Sequence, residues 1–363
     1  MMLRSRHLMP LLALLLSLSS FGARAEPYLA LQQGYKCSSC HVNPTGGGLR
    51  NDFGSVFART VLPMHPSAGG ALPWTSALGE YARVGGDLRA SWSGSYMPGQ
   101  PHAQQNGIDP LRLYASIAPW PGHVSFYVDG QLNPGDPNAL ESYGRLDLPG
   151  AGVYLKAGQF YLPFGWRLQD QTALVREASG ISMTSPDRGV ELGYDRGDWS
   201  AQLDLTRGAA NLPSGEGHQV TGQLAWVQTR YRVGVASSFT ESPLGNRSVN
   251  GAFAGLRSGP VAWLGEVDII RDAGYPEGTR TLAAALGEVD WNFSRGQNLK
   301  LTAEYYDPDR KIAEDQKTRW SLLYEFTPLP YVQLRAGYRR YRGIPQNDTD
   351  NRRAAFVELH AWF

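Results

Sequence analysis

From residue 79 to residue 363 the chain repeats one pattern: stretches of about ten residues in which apolar and polar side chains alternate, separated by turn-rich connections. Side chains along a strand point to opposite faces in turn, so each stretch has one apolar and one polar face. Val332, Leu334, Ala336 and Tyr338 share a face, and Gln333, Arg335, Gly337 and Arg339 the other. Trp320, Leu322, Tyr324 and Phe326 alternate with Arg319, Ser321, Leu323 and Glu325, and Leu299, Leu301, Ala303 and Tyr305 with Lys300, Thr302, Glu304 and Tyr306. One face suits lipid and the other a wet interior. The pattern predicts an all-β fold, an antiparallel transmembrane β-barrel over residues 79–363.

About 16 such segments can be counted, an even number as expected of a bacterial single-chain barrel. They start near residues 80, 110, 122, 139, 151, 188, 198, 219, 230, 250, 260, 280, 297, 316, 330 and 352. The connections alternate between short and long. Arg196-Gly197-Asp198, Ser258-Gly259-Pro260 and Arg295-Gly296-Gln297 are short, while 93–109, 161–187, 208–218 and 343–351 are long. Short periplasmic turns and long extracellular loops give this rhythm and place both ends of the barrel on the periplasmic side. Trp199, Trp226, Trp263, Trp291, Phe293, Phe326 and Tyr331 lie beside short turns, and Trp92, Phe239, Tyr305, Trp320 and Tyr338 toward long loops. These are the two aromatic girdles of a membrane barrel, which a soluble β-sandwich or propeller does not explain. The chain ends on Phe363, on the lipid-facing parity, as outer-membrane barrels do.

Composition agrees. Mean hydropathy is −0.34, the average of lipid-facing and water-facing positions rather than the sign of a soluble protein. The formal net charge of +1 gives no electrostatic case for nucleic acid as a partner. The only long apolar run, residues 8–18, follows Arg4, Arg6 and His7 and precedes Ala23-Arg24-Ala25. A basic start, a short apolar core and small residues before the cut make residues 1–25 a signal peptide, with the mature chain beginning near Glu26 outside the cytoplasm.

Between the signal and the barrel, residues 26–75 hold both cysteines. Cys37-Ser38-Ser39-Cys40-His41 is C-x-x-C-H, the attachment motif of a single c-type haem. In it Cys37 and Cys40 form thioethers to the haem and His41 is the proximal ligand of its iron. A Cys37–Cys40 disulfide over so small a loop would add little, and a thioredoxin-like pair needs a βαβ setting that is not visible. Gly46-Gly47-Gly48 could wrap a porphyrin edge or form a flexible loop. A short helix is expected over 55–62, with Val56, Phe57 and Val61 as its contacts. Met64 or His65, just beyond, is the candidate second axial ligand, and His360 near the periplasmic end is a remoter one.

Parity turns Arg83, Asp87, Arg89, Arg112, Asp129, Glu191, Asp204, Arg232, Arg319, Glu325, Arg335, Arg339 and Glu358 inward, to hold a solvated lumen or brace a plug. Glu266, Asp268, Glu288 and Asp290 face inward on neighbouring strands, a carboxylate patch that could attract Fe²⁺ or another cation. No nucleotide loop, hydrolase triad or multi-histidine metal motif is present.

Lys156-Ala157-Gly158-Gln159-Phe160-Tyr161-Leu162-Pro163-Phe164-Gly165 resembles the strand-to-loop passage of phosphate-selective-type porins. The resemblance implies that the following loop folds into the lumen, where Arg167, Arg176 and Arg188 could line a constriction. Taken whole, a signal peptide, one C-x-x-C-H segment and a barrel of about 16 strands resemble the fused monohaem cytochrome–porins of the bacterial outer membrane, best known as the iron-oxidising type. That resemblance implies one covalent haem c, a segment 26–75 plugging the barrel, and an electron conduit between an extracellular donor or acceptor and a periplasmic c-type cytochrome, with Fe(II) oxidation as a possible activity. The rival reading is a porin for small solutes or anions whose haem-bearing segment is a periplasmic appendage that senses or gates.

Overall fold

The computed structural model describes residues 26–67, 75–108, 111–132, 138–208 and 217–363. The signal peptide expected at 1–25, and positions 68–74 of the N-terminal segment, lie outside them. The strands are β1 (Ala77–Leu78), β2 (Ala82–Tyr96), β3 (Ala103–Ile108), β4 (Leu111–Trp120), β5 (Val124–Leu132), β6 (Asn138–Leu148), β7 (Val153–Tyr161), β8 (Pro186–Arg196) and β9 (Trp199–Thr206). They continue with β10 (His218–Val227), β11 (Tyr231–Glu241), β12 (Arg247–Ser258), β13 (Val261–Asp272), β14 (Arg280–Ser294), β15 (Gln297–Asp307), β16 (Lys317–Leu329), β17 (Val332–Arg342) and β18 (Arg353–Trp362). Helices are α1 (Pro27–Gln33), α2 (Cys37–Cys40), α3 (Asp52–Thr60) and α4 (Leu174–Ser179).

Each strand from β4 to β17 pairs antiparallel with the next, and β18 returns to β2 with Leu359 opposite Ala90, closing the sheet on itself. Setting aside the two-residue β1 and the side hairpin strand β3, 16 strands form an outer-membrane barrel. The strand starts agree with the alternation to within a few residues. The difference is β3, inside what the sequence presents as a loop. Its residues Ala103-Gln104-Gln105-Asn106-Gly107-Ile108 are all exposed and lack apolar alternation, because they pair with the part of β2 that rises above its contact with β4.

The outer face carries Phe126, Val128, Leu155, Leu192, Leu203, Val235, Val267, Leu301, Leu322 and Val357, all exposed in the isolated chain and all on one parity. In a membrane these contact lipid. Phe363 lies on the same face, close enough to Gly86 that a β-carbon there would meet its ring at 2.5 Å.

The core is inside the barrel, and two pieces of chain fill it. One is the N-terminal segment, held at the short-turn end by backbone bonds from Met64 N to Thr327 O and His65 N to Pro328 O. The other is the connection from β7 to β8, which folds inward. Tyr28 and Leu31 of α1 join Leu162, Phe164, Trp166, Leu174 and Ile181 of that connection, and Val249, Phe253, Leu264, Ile270 and Leu286 of the wall, in one apolar cluster. The wall turns apolar side chains inward here because it has something apolar to bury.

Helix α3 begins three residues earlier than expected because Asn51 caps it, its side chain accepting from Gly54 N at 2.9 Å. Its buried residues are Gly54, Ser55 and Ala58, whereas Val56 and Val61, expected to be packing contacts, are exposed.

Candidate functional site in the barrel lumen

Two cysteines three apart in one helical turn lie on the same side of it, and α2 is that turn. Lys36, just before it, pins the turn to the barrel rim through Asp195 Oδ1 and Trp199 O, both at 2.6 Å. The chain then doubles back. Val42 N donates to Leu49 O and Asn51 N to Cys40 O, each at 3.0 Å, enclosing a small loop. Asn43, fully buried, donates to both carboxylate oxygens of Glu141, and its own oxygen accepts from Thr45 N at 3.2 Å. Gly46, Gly47 and Gly48 all have positive φ, a region most side chains avoid. Gly46 brings its backbone against Cys37, where a β-carbon would meet Sγ at 3.1 Å, and Gly48 lies under Tyr127, whose hydroxyl a β-carbon would meet at 2.0 Å.

Both thiols are free and, with His41, face a largely apolar cleft of about 900 Å³, including open solvent, between the N-terminal segment and the inward connection. Leu29, Phe57 and Leu62 line one side; Phe164, Trp166, Arg167 and Arg232 line the other. The Arg232 guanidinium lies 5.3 Å from the Trp166 ring centre and 3.8 Å from Cys37 Sγ. His41 is buried, and its Nδ1 has no hydrogen-bond partner. Burial, reinforced by the neighbouring Arg50 charge, lowers its pKa to about 3, so the imidazole is neutral. Burial raises the Cys40 thiol, against the pull of Arg50.

Met64 and His65 do not line this cleft. Both are exposed, against the turns at Gly296 and Thr327. His360 is buried in the wall, within 3.1 Å of Arg89 Nη2 and 3.2 Å of Gln333 Oε1.

The connection after β7 narrows the lumen. Helix α4 packs on β13, β14 and β15, and Leu174 N donates to Glu304 at 2.6 Å. Asp170 pairs with Arg319 and Arg339, each at 2.8 Å. Of the three arginines expected at a constriction, Arg167 does reach inward, bonding Thr45 Oγ1 at 2.8 Å, and Arg176 is neutralised against Glu266. Arg188 instead faces outward with Val190 and Leu192, bonded to Gln159, because its strand parity carries it to the other side of the wall.

The inward set read from parity is inward, and in the proposed cation patch Glu266, Glu288 and Asp290 face cationic side chains of the protein. Glu266 accepts from Arg176 and from Trp166 N, and Lys300 lies 3.2 Å from Glu288 and 3.7 Å from Asp290. Among the described residues no group of three or more His, Cys, Asp or Glu side chains is placed to hold a metal ion. Sequence reasoning did not single out Glu26, Lys300 or Tyr127, which dock the N-terminal segment. The inward parity of Lys300 and Tyr127 was visible, but not the distant residues they meet.

No family model matches the chain, and no curated protein matches it. Many solved structures share the fold. OmpT of Vibrio cholerae in its trimer form has a TM-score of 0.62 at 10% identity, covering 78% of this chain and 100% of that one. An anion-selective porin from Comamonas acidovorans gives 0.61 at 12%, covering 78% and 99%. OprB of Pseudomonas putida gives 0.59 at 8%, covering 78% and 94%. The protein is thus a bacterial outer-membrane β-barrel with the architecture of known porins and channels.

That finding corrects the electron-conduit reading. The shared architecture is that of outer-membrane porins, and neither this likeness nor, among the described residues, any metal-holding cluster supports a fused cytochrome domain, an iron site or redox partners on either side. The rival reading needs a correction too: the N-terminal segment is no appendage below the barrel but lies within it.

Proposed function

We propose that the protein is an outer-membrane channel for small hydrophilic solutes, narrowed from the periplasmic end by residues 26–67 and from the side by the connection between β7 and β8. The observation that carries this reading is the gap between the connection and the wall, lined by Asp170, Glu304, Arg319, Arg335 and Arg339 together with Leu168, Leu286 and Phe356, reached by Glu26 of the N-terminal segment and enclosed by a barrel of the porin type. Acids and bases there are mutually paired, so little net charge is left to select ions, and selectivity should be weak. Purified full-length protein in a planar bilayer should give discrete conductance steps with a small reversal potential under a salt gradient. A membrane that stays silent at protein loads sufficient for insertion would refute the channel.

The cleft at α2 favours a second component, one covalent haem. Its residues fit the group: two free thiols on one helical turn, a buried imidazole with an unpartnered nitrogen, and a glycine cradle that a side chain would fill. Cys37 and Cys40 would hold it covalently and His41 would take its iron. Bound there, haem supplies a redox- and ligand-responsive centre. Arg167 and Trp166 carry any movement of the cleft to the constricting connection, which supports a sensing or gating role. Haem-linked absorbance that survives denaturing electrophoresis, and vanishes in Cys37→Ala/Cys40→Ala, is expected. A colourless polypeptide from a host competent in haem attachment would dismiss the haem and leave the channel standing.

A further inference from the structure

We propose that the outer face of the barrel carries a binding site for the phosphate groups of an outer-leaflet lipid, built by Arg340, Arg342 and Arg353 at the long-loop rim. Strand register places Trp320, Arg340, Arg353 and Tyr96 directly opposite one another across β16, β17, β18 and β2, in a single row. All four are exposed, and their parity matches that of Leu322, Tyr338 and Val357 on the lipid-facing side. Arg342 stands one outward position above Arg340, opposite Thr318.

Directly opposite strand residues lie roughly 5 Å apart, and next-nearest residues on one strand about 7 Å. Three guanidinium groups are therefore crowded together. Like charges directly opposite each other are destabilising unless something neutralises them. Among the described residues, none of the three forms an ion pair or stacks on an aromatic ring. The nearest outward carboxylate by register, Asp307, is two strands from Arg342 and accepts the Tyr305 hydroxyl.

The flanking aromatics fix the depth. Trp and Tyr in such girdles sit at the level of the lipid head groups, so the arginines between Trp320 and Tyr96 lie at that level. Asp350 of the connection between β17 and β18 is already paired with Lys317, and at this depth the membrane supplies the neutralising anion. Guanidinium groups bind phosphate oxygens in a bidentate manner, and basic clusters at a membrane interface recognise phosphorylated head groups.

The test measures binding of diphosphoryl lipid A, of the same lipid stripped of phosphate, and of inorganic phosphate to the full chain in detergent, by native mass spectrometry. Arg340→Gln/Arg353→Gln should lower lipid A affinity at least about tenfold, as expected for loss of bidentate phosphate contacts. The stripped lipid should not tell variant from parent. Arg271→Gln, a lone outward arginine at the same rim, should bind like the parent. Heat-modifiable gel mobility reports folding; if the double variant does not fold, the single Arg353→Gln must show the loss. Parent-like lipid A affinity in the folded variant would overturn the site, as would an equal loss in Arg271→Gln. Displacement of lipid A by equimolar inorganic phosphate would assign the cluster to free phosphate and overturn the lipid assignment.

Discussion

Lys300 in the wall and Glu26 at the head of the lumenal segment meet at 2.8 Å across 274 residues of chain. The other Glu26 oxygen faces Arg335 at 3.4 Å, and Lys300 also serves Glu288 and Asp290. Two buried cations thus balance carboxylates from both the wall and the segment. Burying a charge is costly unless it is paired, so the segment and the wall each supply what the other would otherwise lack.

Replacing Lys300 by Met keeps most of the volume and removes the charge. Breaking a buried pair from one side costs about 3–5 kcal/mol. Part of that cost falls on docking of the segment, through Glu26, and part on Glu288 and Asp290 of the wall, while the strand ladders of β14, β15 and β16 do not depend on Lys300. Limited proteolysis of Lys300→Met should release residues from the N-terminal segment much faster than in the parent, while the barrel keeps its heat-modifiable mobility. Equal digestion rates would show that Lys300 does not hold the segment.

Gly48→Ala tests the glycine turn. Its φ is +62°, and an added β-carbon would meet the Tyr127 hydroxyl at 2.0 Å. Both strain and collision act together, so a loss of more than about 1 kcal/mol of docking stability is expected. Tyr127→Phe removes the collision and also the oxygen that accepts from Leu49 N. The double variant should therefore recover only part of the loss, the φ strain remaining. Full recovery would locate the whole effect in the Tyr127 contact.

The outward parity of Val267, near the middle of β13, predicts a sharp asymmetry with its neighbours. Arginine on the lipid face near the midplane costs about 2–4 kcal/mol. Val267→Arg should reduce barrel stability by that order in a refolding titration into lipid vesicles. Thr302→Arg, facing the lumen beside Glu288 and Glu304, should cost markedly less. Equal costs would contradict the assigned faces.

The 16 strands of the closed barrel were legible because their outward faces meet lipid and most of their inward positions are polar, which imposes period two. Arg319, Glu325 and Arg335 betrayed their direction through their neighbours alone. Strand β3 was not legible, since its Gln104-Gln105-Asn106 run meets solvent on both sides and records no face. The cleft was legible in part. Spacing brought Cys37, Cys40 and His41 together, but the partners of the acidic residues were hidden. Glu266 looked available for a cation, yet Arg176, from a connection with no periodicity of its own, occupies it. Arg188 stands at the start of β8 rather than in the connection 161–187, and strand parity sends it outward, away from the constriction it was expected to line.

Asp170 anchors the constricting connection, and its protonation sets how acid loosens it. Although burial opposes its charge, Arg319 and Arg339 hold its carboxyl well below the ordinary range. A depressed folded-state pKa contributes stability above the unfolded value, about 3.9, which is lost as pH falls through the folded value. Channel conductance should therefore hold steady from neutral pH down to about 4 and become noisier and larger only in stronger acid. Asp170→Asn mimics the protonated form and should bring that noisy state to pH 7, while the Leu174–Glu304 bond keeps α4 near the wall. Single-channel records at pH 7 decide it: a variant trace indistinguishable from the parent would mean that Asp170 does not restrain the connection.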